Sequence, residues 1–250
     1  MLRRTTLAAA LVAAAATFLV APPAHAASYV VSLSADALNT DVGEKVTLSG
    51  KVGGTGAVGR TVYLQRRSSN GAWGTVATTT TNGARAYSKA VTIPAAGTNA
   101  YRAVVNASST LGRGTSVTRF VTGYTWVDLH AAAYASDGFV QRGWHGQLNG
   151  RIPPRQTFGL SGDAWLYWDV DGLCDQVLGT LEQPSGASST TVTVGAGTST
   201  AYTVGATPRA IDLPLTGVGS LTVSRDGGGY VALISPRAHC SATTLPIAYD

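Results

Sequence analysis

From Tyr29 to Thr122 the chain is written in short alternating runs. Val46, Leu48 and Val52 share one parity, while Lys45, Thr47, Ser49 and Lys51 take the other. Val62 and Leu64 repeat this period of two, as do Tyr101, Ala103 and Val105. A period of two is the mark of a strand with one dry and one wet face. Strands are expected near Tyr29–Ala35, Lys45–Val52, Arg60–Arg67, Trp73–Thr79, Ala86–Ile93, Ala100–Asn106 and Thr115–Thr122. Turn chemistry separates them at Asp41-Val42-Gly43, Asn70-Gly71 and Asn82-Gly83. Helix signals are nearly absent, and seven short strands in about 95 residues predict an immunoglobulin-like sandwich.

The alternation continues beyond Gly123. Strands are expected at Ala164–Val170, Val177–Leu181, Thr190–Val194, Thr200–Val204, Ala210–Leu215, Ser220–Ser224 and Tyr230–Ile234, after a loop-rich approach from Tyr124 to Gln156. Asp171-Gly172, Gly195-Ala196-Gly197 and Asp226-Gly227-Gly228-Gly229 supply the turns. Eight or so strands here fit a jelly roll. The fold class is therefore all-β, with residues 27–123 and 124–241 as two sandwiches and 242–250 as a tail.

Composition sharpens that division. Residues 27–123 carry 10 Lys/Arg and 3 Asp/Glu, a net of +7, whereas residues 124–250 carry 6 Arg and 10 Asp/Glu, a net of −4. A basic front half attracts anionic polymers at short range, but a solvated surface explains the charge as well. Residues 1–26 read as a secretory leader: Arg3 and Arg4, an apolar run from Leu7 to Val20, Pro22-Pro23, then the small-residue site Ala24-His25-Ala26. An exported protein without a membrane span is the expectation, in a compartment where nucleic acid is not a partner. In that setting two cysteines, Cys174 and Cys240, read as one structural disulfide.

Candidate chemistry lies on one expected strand. Leu166, Trp168 and Val170 take one face, and Trp165, Tyr167 and Asp169 the other. Two aromatic planes beside a carboxylate suit stacking on a sugar ring and accepting hydroxyl hydrogen bonds. Trp144, followed by His145, is the next candidate. Packing against loops or the neighbouring half explains the same aromatics equally well. Asp169, Asp171 and Asp175 lack the spacing of a calcium loop and read as an Asp-Gly hairpin turn. No catalytic site is expected: beyond the leader there are two glutamates, Glu44 and Glu182, in different halves, and no G-x-S-x-G or H-E-x-x-H. His130, His145 and His239 stand without a nucleophile motif. Neither a cofactor nor a metal is expected.

Two resemblances add to this reading. Val46-Thr47-Leu48-Ser49-Gly50, the run Arg60 to Arg67, Trp73 and Tyr101-Arg102-Ala103 resemble the Ig-like modules of secreted actinobacterial proteins. That resemblance implies a spacer or adhesive scaffold without chemistry. Trp126-Val127-Asp128-Leu129, Leu148-Asn149-Gly150, Phe158-Gly159-Leu160, the run Trp168 to Cys174 and the run Ile211 to Val223 resemble the NPCBM family of carbohydrate-binding modules. It implies a galactose-binding-like jelly roll with carbohydrate or cell-wall polymer as partner. A protein–protein adhesion scaffold without sugar binding is the alternative.

Overall fold

A computed structural model describes residues 27–247; the expected leader and the last three residues lie outside the described residues. The described chain is all-β and contains no helix. In the front half the strands are β1 (Val30–Val31), β2 (Ser34–Ala35), β3 (Asn39–Asp41), β4 (Lys45–Gly53), β5 (Thr61–Arg67), β6 (Trp73–Thr80), β7 (Ala86–Thr92), β8 (Gly97–Val105), β9 (Gly114–Thr115) and β10 (Arg119–Asp128). β4 lies between β7 and the broken first strand β1/β2. The facing sheet runs β6-β5-β8-β10, with β9 beside β8 and β3 parallel to β10. A first strand that starts in one sheet and ends parallel to the last strand of the other is the immunoglobulin arrangement.

The alternation explains the packing. Val46, Leu48, Val62, Leu64, Tyr101, Ala103 and Val121 all point into one core and are buried. Tyr101 is core, and its hydroxyl finds no partner among the described residues. The Tyr87 hydroxyl instead crosses to the Ser32 carbonyl. It passes over Gly50, where a Cβ would strike both groups.

The back half holds β11 (Ala135–Arg142), β12 (Thr157–Asp169), β13 (Cys174–Glu182), β14 (Thr190–Ala196), β15 (Thr198–Val204), β16 (Arg209–Pro214), β17 (Ser220–Asp226) and β18 (Tyr230–Cys240). One sheet is ordered β10-β18-β13-β16 and the other β12-β17-β14-β15, the strand order of a jelly roll. Between them lie Leu129, Phe158, Leu166, Trp168, Val192, Val223 and Leu233. The Trp168 indole N–H, which would be costly unpaired at this depth, donates to the Leu129 carbonyl at 3.0 Å.

β12 serves both sheets. Its first residues pair with β18 and its last with β17, while β11 follows its other edge. The bend falls at Ser161–Asp163, where Gly162 has φ +65° and the β11 register slips at Gly138, φ +73°. Buried Arg225 ties the bend down: its guanidinium donates to the Gly162 carbonyl at 2.8 Å and to the Gly228 carbonyl.

The stretch expected as a loop-rich approach, Tyr124–Gln156, contains the end of β10 and all of β11. β11 escapes pattern reading because, at an edge, most of its side chains are exposed and no dry face dictates alternation. The boundary expected at residues 123–124 falls inside β10, which pairs with β8 through Gly123 and with β18 from Thr125. Cys174 and Cys240 stand opposite each other on β13 and β18 and form the disulfide.

Candidate functional site

β12 sorts its side chains as alternation requires. Leu166, Trp168 and Val170 are fully buried, whereas Trp165 is 39% exposed and Tyr167 and Asp169 are half-buried on the outer face. The strands alongside line this face with hydroxyls. On β17, Ser224, Thr222 and Ser220 stand opposite Trp165, Tyr167 and Asp169. Thr193 of β14 stands opposite Ser224, one strand further on. On the other side β11 places Asp137 against Trp165 and Ala135 against Tyr167. The strip thus joins two ring faces to hydroxyl donors and acceptors and a carboxylate.

The acidic run beside it is a turn. Asp171 and Gly172 both have positive φ, 40° and 66°, and the Asp169 carboxylate accepts the Asp171 backbone N–H at 3.1 Å. Asp175 points elsewhere, to His239 Nδ1 at 2.7 Å. Among the described residues no group of three His, Cys, Asp or Glu side chains is placed to hold a metal ion.

Trp144 does not join the strip. It is buried, in a cluster with Leu148, Ala232 and Ile234, and stacks on Tyr230 with ring centroids 6.2 Å apart. The physical reason is Gly159 on β12: the indole fills the space a Cβ would take, 2.7 Å from its Cγ. This corrects its reading as a ligand contact. His145, next to it, is exposed.

His239 and His130 are committed to structure. His239 lies between two carboxylates, with Nδ1 on Asp175 and Nε2 on Asp41 at 2.9 Å, and stacks on Tyr124. Since Asp41 belongs to β3 and Asp175 to β13, this contact links the two sandwiches. His130 Nε2 accepts the Gly143 N–H at 3.1 Å. Burial, followed by the nearby Arg142 charge, holds its pKa below the ordinary histidine value against the opposing pull of Asp128.

Trp126 was the residue that pattern reading passed over. It is 37% exposed on β10, the Arg237 guanidinium lies over its ring at 4.7 Å, and Asp128 stands opposite Arg237 on the paired strand. The signal was present: Val127 is buried, so Trp126 and Asp128 must face outward together. A loop-rich expectation over Tyr124–Gln156 assigns no outward face, so alternation there singles out no side chain.

No family profile matches this chain, and no curated protein does. Among solved structures it is similar to the secreted serine protease VesC from Vibrio cholerae at 10% identity and a TM-score of 0.30. That alignment covers 84% of this chain, which spans about half (51%) of the VesC chain. So distant a likeness carries no functional argument.

Proposed function

We propose that the protein is an exported, non-catalytic binding protein whose jelly roll recognises carbohydrate or cell-wall polysaccharide, with the immunoglobulin-like half as spacer. The observation that carries this reading is the exposed Trp165 ring beside Tyr167 and Asp169, on a sheet face lined by serine and threonine hydroxyls. Covering half an indole, about 100 Å², is worth roughly 2.5 kcal/mol at 25 cal/mol per Å². A millimolar site needs about 4.1 kcal/mol. One tryptophan is therefore insufficient, and the second ring with the carboxylate and hydroxyls must supply the rest.

Affinity electrophoresis of the purified protein through gels containing soluble polysaccharides tests the proposal. Retardation by at least one polymer is expected, and Trp165→Ala should abolish it. Absence of retention across a broad panel, with millimolar sugar present, sinks the reading and favours the protein–protein scaffold.

A further inference from the structure

On the opposite side of the jelly roll, the outer face of β10-β18-β13-β16 carries a groove that the Trp165 strip does not touch. Three hollows of about 220, 450 and 510 Å³ cross this sheet. The first and second share Ser235 and Arg237, and the second and third share Asp212, so they adjoin one another along the sheet. A fourth, of about 470 Å³, opens on the far side of Trp126 and shares both Trp126 and Asp128 with the first. Trp126 thus lines two hollows and is 37% exposed, with the Arg237 guanidinium 4.7 Å and the His239 ring 4.9 Å from its ring centre.

The polar groups along this line match hydroxyls rather than ions. Asp128 and Arg237 face each other across paired strands, yet neither belongs to the three ion pairs found among the described residues. One Asp128 oxygen accepts the His130 N–H, and the Arg237 guanidinium rests on the indole. Further along, Gln176 donates to Asp212 at 2.7 Å, leaving the amide oxygen and the second carboxylate oxygen for a ligand. Asp128 and Arg237 thus pair an acceptor with a donor beside the indole, and Gln176 and Asp212 offer acceptor oxygens further along. A vicinal diol, each hydroxyl of which both donates and accepts, satisfies such a pair, whereas a purely anionic or purely cationic ligand meets a like charge. Three inter-strand gaps of ~4.8 Å give a path of about 14 Å from β10 to β16, longer than one sugar ring.

We infer that this groove is a second carbohydrate site, one that takes a neutral oligosaccharide chain with one ring on Trp126 and a diol bridging Asp128 and Arg237. The inference rests on the carbohydrate-binding reading above but not on the Trp165 strip.

Isothermal titration of the purified protein with cellotetraose, mannotetraose, maltotetraose and xylotetraose, and with the corresponding monosaccharides, tests it. At least one tetrasaccharide should bind about tenfold more tightly than its monosaccharide, since only the chain spans the groove. Trp126→Ala should weaken that binding about tenfold or more. Asp128→Asn, a nearly isosteric change at an exposed position, should weaken it as well, while Trp165→Ala leaves it in place. Binding lost in Trp165→Ala and untouched in Trp126→Ala and Asp128→Asn overturns the groove and leaves the first proposal standing. If none of the four tetrasaccharides binds at millimolar concentration, the groove is overturned, and the polysaccharide gels then decide the broader reading alone.

Discussion

Replacing both cysteines by alanine should cost the back sandwich several kcal/mol. The bridge joins residues 66 apart in sequence. Closing a loop of that length in the unfolded chain removes about 15 cal/mol/K, or about 4.3 kcal/mol at 25 °C, in the chain-entropy account. Both sulfurs lie in the core: Cys174 is 2% exposed and Cys240 fully buried. Alanine is therefore the proper replacement, because serine would add two buried hydroxyls to the cost. The bridge also joins the paired strands β13 and β18, which the backbone ladder already holds, so folded geometry should survive its loss. Urea denaturation followed by fluorescence reads the effect, four of the five tryptophans being in this half. The expected result is a lower midpoint with native-like near-UV circular dichroism before the transition. A loss below about 1 kcal/mol would refute the reasoning, since the unfolded chain would then gain little freedom from opening the loop.

Other outcomes follow from individual contacts. Trp168→Ala should destabilise the protein by about 3–5 kcal/mol in denaturant titration, through the cavity and the orphaned Leu129 carbonyl, while Trp165→Ala should stay within about 1 kcal/mol. Gly159→Ala should cost about 1–3 kcal/mol by pushing against the Trp144 ring, and red-shifted tryptophan emission should report its displacement. The lowered pKa of His130 makes the unfolded state the better proton acceptor. Its contribution is thus fully present above the unfolded histidine pKa of about 6.5 and is lost as pH falls toward the folded value. Denaturation midpoints measured down that range should decline, and His130→Asn should flatten the slope.

Legibility in the sequence followed the dryness of each surface. β4, β5 and the end of β12 could be read closely because each has one face on a core and one on water, so burial writes itself into alternate positions. The cysteine pairing was legible by arithmetic, as there were only two to pair. β11 was not, because an edge strand exposed on both sides leaves no pattern. The burial of Trp144 is hidden from the sequence for a different reason. Its burial depends on the missing side chain of Gly159, fifteen positions away and brought near only by tertiary folding. The groove at Trp126 is likewise a property of strand order: Asp128, Arg237, Gln176 and Asp212 meet only because β10, β18, β13 and β16 lie in that sequence.

The strand β10 has one more consequence. Because it leaves one sandwich and enters the other without a break in extended backbone, the two halves have no swivel between them. The Asp41–His239–Asp175 contact braces the same joint. The joint is therefore continuous, hydrogen-bonded extended backbone rather than a free linker. Tension drawn between the two halves would load the hydrogen bonds of one shared strand before any slack in the chain.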